Sequence, residues 1–135
     1  MLKPKITISQ EKIELANEAA TVTVGDEKSG FANLSERLAE IRKLKGVLGY
    51  ILRNNASAIL DLDDPDKIIQ YAMFSWQIHD SCQEVAKQFN LGETESMLVE
   101  GLNVKALCMS LGENKISLYM EKSAAHAWII KRILL

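Results

Sequence analysis

Between Asp64-Pro65 and Leu91-Gly92 the chain carries its longest uninterrupted helical pattern, and that segment constrains the fold more than any other. Asp is a strong N-cap and Pro is favoured at the first helical position. Leu91-Gly92 supplies the stop, so the pattern predicts a helix from Pro65 to about Asn90. Along it Tyr71, Phe74, Ile78, Cys82, Val85 and Phe89 recur at a 3-4-4-3-4 spacing, one continuous apolar stripe at about 100° per residue. That stripe is the face expected to lie on a sheet. A second apolar group, Ile69, Met73 and Trp76 with Ala72 beside it, is expected nearly opposite, on a face that turns polar at Asp80, Gln83 and Lys87. A helix resting on its own sheet needs one apolar face. Each such side chain is worth on the order of 1.5–3 kcal/mol when buried, so the second group reads as an intermolecular contact, unless the N-terminal extension of the same chain covers it.

Around this helix the sequence predicts strands. Val47 to Arg53 and Ala56 to Leu62, separated by Asn54-Asn55, read as a β-hairpin, since Asn tolerates the left-handed backbone of a tight turn. Three more strands are expected near residues 95–102, 104–111 and 115–121, with Gly112-Glu113-Asn114 turning the last pair. A helix before the hairpin is expected from Asn33, where Asn33 and Glu36 have the polar character of a capping box, with Leu34, Leu38 and Ile41 at helical spacing and Gly46 as terminator. A last helix is expected from Ser123, with Ala125, Ile129 and Ile133 on one stripe. The order is α-β-β-α-β-β-β-α. Residues 1–32 stand apart as an extension, mobile or paired on a sheet edge. Its alternating runs Lys5-Ile6-Thr7-Ile8-Ser9 and Thr21-Val22-Thr23-Val24 read as strands too short to stand alone. Residues 33–135 form the main domain.

Composition narrows the function classes. With 135 residues, 47% of them hydrophobic, the chain is long enough for one domain with a real core and no metal or disulfide staple. Sixteen basic and 18 acidic side chains leave a formal charge of −2, with no field to attract nucleic acid or an anionic membrane. Cys82 and Cys108 lie in apolar stretches outside any CxxC pair and read as reduced, packed thiols, which suits the cytoplasm. No apolar run approaches the roughly 20 residues of a membrane span, and no signal peptide is indicated. Phosphate-binding loops, nucleophile elbows and Cys/His clusters are absent from the sequence. His79 and His126 stand alone, and His79 with Cys82 makes too few ligands for a metal. The acidic run Asp61-Leu62-Asp63-Asp64 lacks the glycine and distant Glu of a calcium loop, and fits a strand end and helix cap. No catalytic residue, cofactor or metal is expected, and the chain is not expected to be an enzyme.

Several local strings, in this order and spacing, resemble the roadblock family, small domains related to a dynein light chain. Gly46-Val47-Leu48-Gly49-Tyr50-Ile51 is similar to the family's first strand. Met97-Leu98-Val99-Glu100-Gly101 resembles its third strand, Leu107-Cys108-Met109-Ser110-Leu111-Gly112 the next, and Ile116-Ser117-Leu118-Tyr119-Met120 the fifth, followed by a helix rich in Ala and Ile. The likeness covers about residues 33–135. It implies an α+β domain: a five-stranded antiparallel sheet with two helices on one face and the long helix on the other. It also implies a dimer, with itself or with a related chain, in which third strands join edge to edge and long helices lie side by side. Ile69, Ala72, Met73, Trp76, Ser96, Leu98 and Glu100 are the interface residues expected on that basis. Family members act as non-catalytic scaffolds or regulators, some binding small Ras-like GTPases and others motor-complex subunits. The second strand here lacks the Gly often found just after the hairpin, and the extension is longer than a minimal domain requires and could cover the free sheet edge. The alternative reading is a profilin- or PAS-like sensory domain holding a small ligand between sheet and helix. That reading requires an internal cavity with a few polar groups, whereas the bulky apolar stripe argues for a filled core.

Overall fold

A computed structural model describes residues 5–8 and 30–135. The elements run β1 (Lys5–Ile8), α1 (Phe31–Ile41), β2 (Val47–Arg53), β3 (Ala58–Leu62), a 3-10 turn (Pro65–Lys67), α2 (Ile68–Gln88), β4 (Ser96–Glu100), β5 (Val104–Leu111), β6 (Asn114–Glu121) and α3 (His126–Leu134). The expected strand at Thr21–Val24 lies outside the described residues. From Phe31 onward the order is the expected α-β-β-α-β-β-β-α, and its five strands are all antiparallel. β1 pairs antiparallel with β3 and adds a sixth, giving the order β1-β3-β2-β6-β5-β4.

Alternation in the strands sorts the two layers of the core. Tyr50 and Leu52 of β2, Ile116, Leu118 and Met120 of β6, and Leu107 and Met109 of β5 face α1 and α3, where they meet Phe31, Leu34, Leu38, Ile41, Ile129 and Ile133. Ile51, Leu60, Leu62, Ala106 and Tyr119 face the other way and take Ile68, Tyr71, Ala72 and Phe74 of α2. The helix pair is tied where Arg37 Nη1 donates to the Ile133 carbonyl at 2.5 Å. One glycine makes the first hairpin possible. Gly49 sits at φ +157°, beside a register shift in the β2–β6 ladder, and a Cβ there would collide with the Asp61 carbonyl oxygen and with Leu62. Only the absent side chain lets β2 approach β3 at that bulge.

Four local expectations shift. Helix α1 starts at Phe31, with Gly30 at the N-cap and no side-chain cap, so Asn33 lies inside its first turn. Burial of Phe31 together with Leu34 draws the helix back past the polar cap. The first hairpin has a four-residue loop, because the Asn54 side chain closes it. Its Oδ1 accepts from the N–H groups of Ala56 and Ser57, both at 2.8 Å, and its N–H donates to the Ser57 carbonyl. That Asx turn needs no left-handed residue, and neither Asn54 nor Asn55 is one. The long helix opens with one 3-10 turn, capped by Asp64, whose Oδ1 accepts from Asp66 N–H at 3.0 Å. It closes at Asn90 in the left-handed conformation, with Leu91 N–H reaching back to the Ala86 carbonyl at 2.8 Å. Helix α3 begins at His126 and leaves Ala125 exposed outside the Ile129/Ile133 stripe. The buried Lys105 Nζ donates to the Ala124 carbonyl (2.6 Å) and to His126 Nδ1 (2.8 Å), holding the preceding residues in a turn.

Candidate interaction surfaces

Helix α2 has three longitudinal faces rather than two. Its buried line is Ser75, His79 and Ala86. Small side chains at both ends of that line let the helix sit close to β6, and the polar groups find polar partners there. Ser75 Oγ and Ser117 Oγ are 2.6 Å apart, and His79 Nε2 lies 3.2 Å from the Ile116 carbonyl and 3.4 Å from Ser117 Oγ. Cys108 Sγ closes the group at 3.6 Å from Ser117 Oγ. Beside it, Tyr71 stacks on Tyr119 with ring centroids 4.2 Å apart, and the Tyr119 hydroxyl donates to the Tyr71 carbonyl at 2.8 Å.

This geometry corrects the expected packing of the helix. Only the first part of the stripe from Tyr71 to Phe89 meets the sheet, Tyr71 and Phe74 packing beside Tyr119, while the buried central line is Ser75, His79 and Ala86. Tyr71, Phe74, Ile78 and Cys82 are half-buried, but Val85 is 50% exposed and Phe89 70%. Ser117 and Tyr119 at the centre of the sheet face select Ser75 and His79 above them, which rotates the apolar stripe sideways. The helical spacing of Ser75, His79 and Ala86 between two apolar flanks is the signal that would have revealed the arrangement.

The buried Ser–His–Ser–Cys group resembles catalytic chemistry only in composition. The Nε2–H of His79 donates to the Ile116 carbonyl, so that nitrogen has no lone pair with which to take a serine proton. His79 Nδ1 has no hydrogen-bond partner. Burial, then the nearby Arg53 charge, lowers the His79 pKa to about 4, the carbonyl contact and Asp80 opposing and Lys115 adding to the fall. Burial pushes the Cys108 thiol up to about 11, and raises the Tyr119 hydroxyl as well. The group therefore clasps helix to sheet in its neutral form. Among the described residues no three His, Cys, Asp or Glu are placed to hold a metal, and no helix is long and apolar enough to cross a membrane. Both thiols are free, Cys108 buried and Cys82 half-buried. Under native conditions a thiol reagent should modify Cys82 first and Cys108 only on unfolding, as read by intact mass. Equal native rates at both would contradict the burial of Cys108.

The seven expected interface residues fall into two groups that the fold keeps apart. Ile69, Met73 and Trp76 are 74%, 58% and 39% exposed on one flank of α2, while Ala72 turns inward against the β2–β3 layer. The Arg53 guanidinium at the end of β2 lies over the Trp76 ring, 4.3 Å from its centroid. Ser96, Leu98 and Glu100 lie on β4, at the far edge of the sheet, in register with Met109, Leu107 and Lys105. Strands β6 and β5 stand between β2 and β4. The flank of α2 on the β4 side is the other one: Thr94 Oγ1 donates to the Cys82 carbonyl, and Cys82 and Val85 line a shallow, open depression that reaches Ser96. The outer edge of β4 pairs with no described strand, whereas the opposite edge of the five-stranded unit, on β3, is taken by β1.

No protein-family model matches the sequence, and no curated protein matches it significantly. Solved structures do resemble the fold. A Roadblock/LC7 domain from Streptomyces avermitilis matches with a TM-score of 0.59 and 12% identity, over 73% of this chain and 83% of that one. The gliding protein MglB from Thermus thermophilus matches with a TM-score of 0.61 and 14% identity, over 76% of this chain and 81% of its own. With five antiparallel strands in the order β3-β2-β6-β5-β4, two helices on one face and one long helix on the other, the chain has the roadblock fold.

Proposed function

We propose that this chain is a non-catalytic, dimeric protein-interaction module of the cytoplasm that serves a small Ras-like GTPase as scaffold or regulator. The observation that carries the reading is the open edge of β4 in a roadblock fold. Ser96, Leu98, Val99 and Glu100 are exposed there, and Val85 and Phe89 of α2 stand exposed on the same side of the sheet. An unpaired strand offers main-chain hydrogen bonds to an identical strand, and the helix flank adds apolar area to the contact. In such a pair the Ile69–Met73–Trp76 flank stays uncovered and is the face offered to the GTPase. The sensory-domain alternative loses support, because the space between α2 and the sheet is filled by the Tyr71–Tyr119 stack and the Ser75–Ser117 contact.

Sedimentation equilibrium at micromolar concentration should give twice the chain mass. A Leu98→Glu/Val99→Glu variant should halve that mass with an unchanged far-UV spectrum, because burying charge in the contact costs several kcal/mol in the pair and little in the monomer. Trp76→Glu should leave the mass unchanged and abolish binding of small Ras-like GTPases from the source organism, titrated in GDP-loaded and GTP-analogue-loaded forms. A clean monomer in the intact chain would sink the β4 contact. A halved mass in Trp76→Glu would move self-association to the helix flank.

A further inference from the structure

We propose that the outer edge of β3 is a strand-docking site held by the chain's own Lys5–Ile8, and that this occupancy confines self-association to β4. The second clause rests on the reading of β4 given above; the first does not. The two edges of the five-stranded unit are chemically unlike. β3 reads Ala58-Ile59-Leu60-Asp61-Leu62, and every residue but Asp61 is buried. A strand this apolar, covered on both faces and bare along its edge, would be a ready template for any extended chain. β4 reads Ser96-Met97-Leu98-Val99-Glu100, and all but Met97 are exposed. Without β1 the edge of β3 would be apolar at four of its five residues, whereas that of β4 begins at Ser96 and ends at Glu100.

β1 closes the apolar edge through four residue pairs, Lys5↔Asp61, Ile6↔Leu60, Thr7↔Ile59 and Ile8↔Ala58. In the sequence, residues 9–30 separate it from α1. The tether makes β1 a ligand supplied at high local concentration. Its effect on assembly follows from symmetry. A unit with two long open edges can add copies without end, whereas with β1 docked the edge on that side is a strand of only four residues, too short to template another chain, and β4 is left for a two-fold pair.

The test is a full-length Ile6→Pro/Thr7→Pro variant. Successive N–H groups of a strand point to opposite edges, so one of two adjacent prolines removes a donor aimed at β3. By sedimentation velocity across a concentration series, the variant should show at least about a twofold rise in weight-average mass over the intact chain, growing with concentration. Excess synthetic peptide spanning Met1–Gln10 should reverse the rise. A variant with the mass of the intact chain at every concentration overturns the proposal, and so does a rise that the peptide leaves untouched. Should the variant lose its far-UV spectrum, amide exchange on the intact chain decides instead. Protection of the outward N–H groups in residues 58–62 comparable with that of β2 supports the docked strand, and exchange as fast as at the outer edge of β4 overturns it. An intact chain that stays monomeric removes only the β4 reading, since the variant must still rise in mass if the β3 edge has been uncovered.

Discussion

Replacing Arg42 with alanine is expected to lower the unfolding free energy by about 3–5 kcal/mol, the range for removing one partner of a buried ion pair. Arg42 follows α1 and is only 7% exposed. Its Nε lies 3.4 Å from an Asp61 oxygen, its Nη2 is bonded to Asp63, and its Nη1 donates to the Val47 carbonyl at 3.1 Å. One guanidinium thus joins the end of α1 to both strands of the first hairpin. Asp61 is 15% exposed and would be left with its charge and little water, whereas Asp63 at 43% exposure would rehydrate. Most of the loss should therefore come from Asp61 and the orphaned Val47 carbonyl. The buried Tyr50 hydroxyl, without a hydrogen-bond partner, adds to the strain: burial and then the Asp61 charge push its pKa up to about 12, and Arg42 is the charge that opposes them. Arg42→Lys should recover only part of the loss, because an ammonium cannot span the two carboxylates and the carbonyl as a planar fork does. Urea unfolding with a single transition measures both. A loss under about 1 kcal/mol for Arg42→Ala would mean that the pair is as well screened as a surface one.

Acid should release helix α2 through His79. In the fold His79 remains neutral down to about pH 4, whereas a free imidazole titrates near 6.5. Between those values only the unfolded chain binds the proton, so each step down in pH favours unfolding. The contribution is complete above about pH 6.5, falls through the window and is gone near pH 4, for a total of roughly 3 kcal/mol. Protonation would place a cation beside Arg53 and Lys115, with Asp80 as the opposing charge and the Ser75, Ser117 and Cys108 side chains in the same buried group. His79→Gln keeps a donor for the Ile116 carbonyl and removes the titration. The difference in urea midpoint between wild type and variant should therefore change steadily between pH 6.5 and 4 and be flat above it. Parallel curves would show that His79 does not carry the dependence.

The candidate surfaces were legible in the sequence only in part. Ile69, Met73 and Trp76 announce themselves by spacing, and the structure does leave them exposed. Ser96, Leu98 and Glu100 come from the resemblance to a strand that lies at a sheet edge, and β4 is one. Their separation could not be read from the chain, because it depends on which strands stand between β2 and β4. Periodicity places Val85 and Phe89 on the sheet, and the structure leaves both exposed. Periodicity records which side chains share a face of the helix, and cannot say that the sheet takes the Ser75–His79–Ala86 line between two apolar flanks.

Local chemistry in the sequence determined the elements and their order. Alternating β-branched residues, Asp64-Pro65 before the long helix, Asn90-Leu91-Gly92 after it and Gly112 in the last turn act within a few residues of themselves, and the structure places an element boundary at each. Tertiary structure decided what joins distant residues. Tyr119 and Ser117 choose the buried line of α2, Arg42 finds Asp61 and Asp63, and the β3 edge pairs with Lys5–Ile8. These contacts form only after strands far apart in the chain have aligned. Their energy comes from desolvation and hydrogen-bond geometry in the assembled core, which no local pattern encodes.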